Sequence, residues 1–373
     1  MLWQLRRPVR ETRNALSYAR LALRRAPQWR AIARTKGRRG EIAVSYGVPR
    51  MPGPAEVVIG GAVKFQLLSA SLPNAPLDFN VLYLGSSSMP RDGAVLARLA
   101  RRRGAAFVWN QNGVAYRGWY GEGWELVNRP RARLMHRADF VFFQTAFCKL
   151  GADRYYGERE GPWEILPNPV DTRRFSPAAA PERRPPTLLL AGSQYQRYRL
   201  EAALEALALI RGERDDARLI VAGALSFAPD GEAQAHALAE RLGVAGAVDF
   251  SGPYSQAEAP ELMRRADILL HTKYNDPCPT VVLEALASGL PVVYSASGGL
   301  PELVAAEAGV GIPAPLDWER DHPPAPQELA GAALSLIDRL PEHAEAARAA
   351  AQRFDARGWI ERHRAVFEQL LSR

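Results

Sequence analysis

The chain has 373 residues, a length that suits two domains of ordinary size. Hydrophobic residues make up 47% and charged residues 24%, the balance of a globular protein with ample core, which excludes collagen-like and disordered classes. No run of about 18 apolar residues offers a membrane span, and the basic N-terminus lacks the apolar core of a secretory signal. Two cysteines, Cys148 and Cys278, cannot build a disulfide scaffold, so a reducing cytoplasmic location is expected.

The net charge of +8 is unevenly placed. Residues 1–40 hold twelve Arg/Lys and a single acid, Glu11, and the rest of the chain is slightly acidic. A nucleic-acid binder carries its basic stripe on the folded domain, so no nucleic-acid partner is expected. The arm is predicted to be a helix between Pro8 and Pro27. Ala15, Leu16, Ala19, Ala22 and Leu23 fall on one side of it, and Arg10, Arg13, Arg20 and Arg24 on the other. With Trp3 and Trp29 as flanks, it suits an anionic membrane surface, on the inner face of the cell membrane. The alternative is a helix that packs its Leu/Ala stripe on the protein itself.

Strand-like runs then alternate with helical patterns. Glu41–Tyr46 comes first, followed by Gly60-Gly61 opening a helix, then Asn80–Leu84, a helix containing Leu96 to Arg103, and Ala105–Trp109. A glycine-rich loop with Tyr116, Trp119, Tyr120 and Trp124 follows; it could stack on a sugar or fold over its own aromatics. Phe140–Phe143 and Trp163–Leu166 are the next strands, and the proline-rich segment 178–187 is a linker by composition. The pattern restarts with Thr187–Ala191, Arg218–Ala222, Ala247–Phe250, Asp267–His271 and Pro291–Tyr294. From about Pro341 the chain reads as helical. Short buried strands alternating with helices imply parallel sheets. The expected organisation is an arm (1–40), a first α/β domain (41–177), the linker (178–187), a second α/β domain (188–340) and C-terminal helices (341–373). A ligand is expected in the crevice outside the strand ends.

No G-x-x-x-x-G-K-[ST], H-E-x-x-H or G-x-S-x-G motif is present, and the six histidines are scattered, so no metal site is expected. Gly309–Ala314 fits a loose dinucleotide pattern, but Pro313 forbids a helix start there, which leaves a strand and turn. The informative segment is NDPCPTVVLEALASGLPVVYSASGGLPELV, residues 275–304. Asp276 lies in a proline-stiffened loop, Pro279 marks the first turn of a short helix bearing Glu284, and Gly289 ends it. The amides near Thr280, Val281 and Val282 form an anion site at the helix N-terminus. Two carboxylates flanking a phosphate-sized site are suited to accept hydrogen bonds from sugar hydroxyls.

This segment resembles the E-x7-E signature of family 4 of the retaining GT-B glycosyltransferases, written here as D-x7-E with Asp276 and Glu284. Pro277, Ala285, Ala287, Gly289, Pro291-Val292 and Gly298-Gly299-x-Pro301-Glu302 stand where the family has them. Asn168-Pro169-Val170-Asp171 with Phe175 and Pro177, Val248–Gly252 with Ala266-Asp267, and Gly60-Gly61 resemble other family passages in order. The likeness covers about residues 41 to 373. It implies two Rossmann-like domains with parallel sheets facing a cleft, the C-terminal helices crossing back to the first. It also implies transfer of a sugar from a nucleoside-diphosphate sugar, with no further cofactor and no metal, to a glycan or lipid-linked acceptor. By resemblance Asp276 contacts the donor sugar and Glu284 the nucleotide ribose, and Gly60, Gly61, Gly192, Ser193, Thr280 and Val281 belong to the donor site.

Three departures from the family pattern stand out. After the first strand of the second domain the family has an Arg and a Lys for the diphosphate. Here Ser193 and Tyr198 stand there, and Arg197 or Arg199 is placed to supply the charge. Where many relatives have a His, the sequence offers Asn112 before Gly113, which is also a strong turn dipeptide. Third, Asp276 is one methylene shorter than Glu. The alternatives are a nucleotide-sugar-binding scaffold without turnover, or an epimerase or phosphorylase on the same architecture. Cys278, inside the motif, is read as a small apolar filler.

Overall fold

The computed structural model describes residues 6–38, 40–58, 60–178 and 185–372, with side chains from Ala19 onward. Residues 179–184 of the expected linker, and Trp3, lie outside the described residues. Two parallel sheets form the frame. The first holds β1 (Val44–Ser45), β2 (Val81–Gly85), β3 (Ala106–Gln111), β4 (Phe140–Phe143) and β5 (Trp163–Ile165), side by side in chain order. The second holds β6 (Thr187–Ala191), β7 (Arg218–Ala222), β8 (Val248–Gly252), β9 (Ile268–His271), β10 (Val292–Ala296) and β11 (Gly309–Pro313), in the order β11-β10-β9-β6-β7-β8. The strand order reverses between β6 and β9, the place where a doubly wound sheet opens a crevice.

The apolar runs become strands because helices cover both faces of each sheet. Every residue of β2, β4, β6 and β9 is buried, which suits continuous Val, Leu and Phe rather than alternation. Two corrections concern boundaries. The run Glu41–Tyr46 gives only the two-residue edge strand Val44–Ser45, since Asn80 and Asn74 side chains take up the amides of Ala43 and Tyr46. Strand β3 runs on to Gln111, so Asn112 is the first residue past its C-terminal end.

The C-terminal helices divide between the domains. Leu340–Ala351 packs on the second domain. After a crossing beside Val170, where Thr172 Oγ1 bonds Asp355, helix Ala356–Leu371 lies against the first. Trp359, Val366 and Phe367 join the cluster that holds Tyr83, Val108 and Phe142. This is a GT-B architecture.

The arm departs from expectation. Its helix spans Arg6–Arg34, passing through Pro27 instead of ending there, and its C-terminal half is docked on the first domain. Ile32 is fully buried, and the buried carboxylate of Asp92 accepts from Arg25 Nε at 2.7 Å and Trp29 Nε1 at 2.9 Å. Trp29 is therefore a packing residue. Arg20, Leu23, Arg24 and Arg30 face outward, with Leu23 78% exposed. No helix among the described residues is long and apolar enough to cross a membrane.

Candidate active site

A cleft of about 420 Å³ opens between the two sheets, at the C-terminal ends of β6 and β9. Of the sequence-derived candidates, Gly60, Gly61, Asn112, Gly192, Ser193, Arg199, Asp276, Thr280, Val281 and Glu284 line it. Arg197 does not. It opens helix Arg197–Glu213 on the outer face, where it is ion-paired with Glu201 at 2.6 Å and 55% exposed. Arg199 lies two residues on, points inward and is buried; its Nη1 donates to Ser193 O at 2.9 Å, while Nε has no partner. It is the cation of the pair that reaches the cleft.

The acidic loop follows β9. Asp276 is not a lone carboxylate: Lys273 Nζ stands 3.2 Å and His271 Nε2 3.0 Å from its Oδ2. Burial alone would push the Asp276 carboxyl up, but Lys273 and the His271 hydrogen bond outweigh it and hold it well below the usual carboxylate range. Burial keeps His271 below its ordinary value despite Asp276, so the neutral ring donates its Nε2–H. Lys273, only 15% exposed, stays charged because the attraction of Asp276 offsets its desolvation. Both partners sit on Oδ2, which leaves Oδ1 for a ligand.

The loop is held by backbone contact. Gly298 and Gly299 run against it so closely that a Cβ would stand 2.5 Å from Asp276 O and 2.0 Å from Pro277 O. That is the physical content of the glycine pair in the sequence. In the first domain Gly61 has a similar reason, since a Cβ there would meet Ser87 Oγ at 2.3 Å.

Glu284 lies on helix Thr280–Ala287, almost fully buried, and accepts from Gln256 Nε2 at 3.0 Å. Desolvation raises its carboxyl to about 7, against the pull of Gln256 and Arg174. Thr280 and Val281 line the cleft at the first turn of this helix, whereas the Val282 amide is already bonded to Pro279 O. The amides expected to be free at this helix start are therefore one fewer. Cys278 is buried, its amide-side neighbour Asn168 N lies 3.4 Å from the sulfur, and burial pushes the thiol up, which fits a filler.

Sequence reasoning missed Lys273, His271 and Lys64. Lys64 is fully buried, with Asn168 Oδ1 3.3 Å from its Nζ, and burial lowers its ammonium to about 8. A side pocket of about 250 Å³ adjoins the cleft through Ser87, Asn112 and Lys273 and is walled by Tyr116, Trp119 and Phe147. Of the aromatic loop, Tyr116 packs edge-on against Trp318 and Trp124 against Tyr155, while Trp119 stays 39% exposed at the pocket. Across the interface Glu302 accepts from the Ala146 and Phe147 amides at 2.7 and 2.9 Å, and Trp318 stacks on Phe147.

Residues 171–320 match the family of glycosyl transferases group 1. The lipopolysaccharide glucosyltransferase WaaG of Escherichia coli is 36% identical over 135 residues, which cover 36% of this chain and 34% of that protein. A GDP-mannose-dependent α-(1-6)-phosphatidylinositol monomannoside mannosyltransferase of Mycobacterium tuberculosis is 30% identical over 235 residues, 57% of each chain. The matched stretches thus span about a third to just over half of these relatives. Among solved structures, Anabaena Alr3699/HepE in complex with UDP superposes with a TM-score of 0.64 at 20% identity, covering 83% of this chain and 82% of that one. WaaG itself gives 0.58 at 20% identity, over 87% and 98%.

Proposed function

We propose that the protein is a metal-independent, retaining glycosyltransferase of family 4. It moves a sugar from a nucleoside-diphosphate sugar to a glycan or lipid-linked acceptor in surface polysaccharide or glycolipid synthesis. The observation that carries this reading is the convergence of Arg199, Lys273 and the first turn of helix Thr280–Ala287 on one cleft that also holds Asp276 and Glu284. Two cations and a helix N-terminus suit a diphosphate whose charge grows as the bond to the sugar breaks. Glu284 accepts from the ribose hydroxyls, and Asp276 Oδ1 from the transferred sugar. The acceptor hydroxyl, seated in the side pocket, attacks C1 on the face the diphosphate leaves, and its proton passes to the departing phosphate oxygen. The names of the matched relatives, a glucosyltransferase acting on lipopolysaccharide and a mannosyltransferase acting on a phosphatidylinositol mannoside, support a lipid-linked acceptor. The UDP of the structural neighbour and the GDP-mannose of the mannosyltransferase put both uridine and guanosine donors in the test.

A panel of UDP- and GDP-sugars, read by release of the nucleoside diphosphate with and without EDTA, tests the reading. One donor is expected to be turned over, unchanged by EDTA, with the anomeric configuration kept in the product. No release from any donor would return the protein to the binding-scaffold class, and phosphate-dependent product would make it a phosphorylase.

The outward face of the arm, Arg20, Leu23, Arg24 and Arg30, would hold the protein peripherally on the cytoplasmic leaflet beside its acceptor. Each basic residue near an anionic surface contributes about 1 kcal/mol. The full chain is expected to sediment with phosphatidylglycerol-containing vesicles at low salt and to be released as salt screens the charge. Because Ile32 and Trp29 are built into the first domain, the informative variant is not a truncation at residue 40. It is the combined replacement of Arg20, Arg24 and Arg30 by Gln and Leu23 by Ser, which should stay in the supernatant with its melting temperature unchanged.

A further inference from the structure

A row of buried side-chain hydrogen bonds crosses the first domain from the cleft to the C-terminal helix. Asn112 Nδ2 lies 2.6 Å from Gln144 Oε1, and Gln144 Nε2 lies 2.6 Å from Asn110 Oδ1. Asn110 Nδ2 is 3.0 Å from the Tyr83 hydroxyl, which is 2.8 Å from His363 Nε2. The row ends where His363 Nδ1 meets the main-chain oxygen of Trp359 at 2.8 Å. Gln144, Asn110, Tyr83 and His363 are all buried to 1% exposure or less, so the row is shielded from bulk solvent and each member has its protein partner.

The direction of the whole row follows from its last bond. A main-chain carbonyl only accepts, so His363 Nδ1 must carry the proton. Burial among Phe142, Trp359 and Phe367 holds the ring neutral, which leaves Nε2 as an acceptor. Tyr83 must then donate to it, Asn110 must present its NH₂ to Tyr83, Gln144 its NH₂ to Asn110, and Asn112 its NH₂ to Gln144. The remaining atom is Asn112 Oδ1, which no protein donor occupies among the described residues. Asn112 lines both the cleft and the side pocket.

We infer that His363, on the C-terminal helix, is a positioning residue: through Tyr83, Asn110 and Gln144 it fixes the Asn112 amide so that a carbonyl oxygen, and never an NH₂, faces the junction of donor cleft and side pocket. The site then requires a hydroxyl donor at that point. Only the identity of that hydroxyl, on the transferred sugar or the acceptor, rests on the glycosyltransferase reading. His363→Phe keeps the ring stack on Phe142 and removes the acceptor. Tyr83 must then donate to Asn110, each amide in the row turns over, and Asn112 offers its NH₂ to the cleft. His363→Gln, whose carbonyl oxygen reaches the position of Nε2, restores the original direction.

The first test needs no substrate. Histidine ring ¹⁵N shifts of the full-length wild type should show His363 as the neutral Nδ1–H form from pH 8 down to pH 5. Neutron diffraction of deuterated crystals should place the Asn112 deuterons toward Gln144 in the wild type and the Gln variant, and toward the cleft in the Phe variant. A protonated Nε2 in the wild type, or an Asn112 amide unmoved in His363→Phe, overturns the inference; the wild-type spectrum decides it even where the Phe variant does not fold. The second test uses UDP-glucose and its monodeoxyfluoro counterparts, since fluorine accepts but cannot donate. In the wild type one analogue should lose about ten- to a hundredfold in kcat/KM beyond the others, and in His363→Phe that extra loss should shrink to about threefold or less. An equal loss in both proteins counts against the inference. Absence of turnover of UDP-glucose bears on the donor and leaves the neutron result to stand.

Discussion

At pH 8 the Glu284→Gln protein is expected to melt above the wild type while binding its donor about ten- to a hundredfold more weakly. The buried Glu284 carboxyl is raised from 4.5 to about 7 by desolvation, so in the empty cleft its ionised form is held against a cost. The folded protein holds this proton more tightly than the unfolded chain does. The stability it contributes is present below pH 4.5 and is lost as pH rises through about 7. A shift of this size corresponds to roughly 3 kcal/mol, or roughly 5 °C or more in Tm for a domain of this size. Glutamine keeps an acceptor for Gln256 and removes the charge. The Tm difference should therefore be largest at pH 8 and vanish near pH 4.5. Donor affinity should run the other way: lost charged bonds to the ribose cost about 1.5–3 kcal/mol. In the wild type the donor KM should fall as pH rises through 7, and in the variant it should be flat. A variant that is less stable than wild type at pH 8 would remove Glu284 from the ligand site and make it a structural residue.

How far the sequence disclosed this site depends on how local each contact is. Asp276 and Glu284 were legible because a loop, a Pro279 helix start and an eight-residue helix fix their separation within one short segment. The glycines at 298 and 299 were legible as a pattern, and the close approach to Asp276 and Pro277 gives the reason. Lys273 and His271 carried no motif: they become partners of Asp276 only when the loop after β9 turns back on itself. Lys64 and His363 were beyond reach, since their neighbours lie 104 and 280 residues away along the chain. The arm showed its basic face, but its docking depends on Asp92, more than sixty residues downstream. Arg197 and Arg199 could have been told apart. From Arg197 the helical step of four leads to Glu201 and Glu205, a polar face, and from Arg199 it leads to Ala203 and then Ala206 and Ile210, a buried one.

That phase difference sets the second large effect. Arg199→Met should lower kcat with the donor by about 10²–10³-fold, the usual loss when one preorganised donor to a developing negative charge is removed. Arg197→Met should stay within about twofold of wild type, because Arg197 spends its charge on an exposed pair with Glu201, a contact worth at most about 1 kcal/mol of stability. The two variants differ by two positions on one helix, so the comparison isolates which face the guanidinium occupies. A melting curve separates this role from a structural one. Without a bound donor Arg199 has a buried Nε without a partner, and its positive charge repels that of Lys273 and disfavours a charge on His271, against its attraction to Asp276. Removing it should leave Tm unchanged or raise it, and product inhibition by the free nucleoside diphosphate should weaken in step with kcat/KM. If Arg199→Met instead lowers Tm and leaves inhibition by the diphosphate intact, the guanidinium is a strut between Ser193 and the sheet, and Lys273 with the first turn of helix Thr280–Ala287 must carry the leaving-group charge alone.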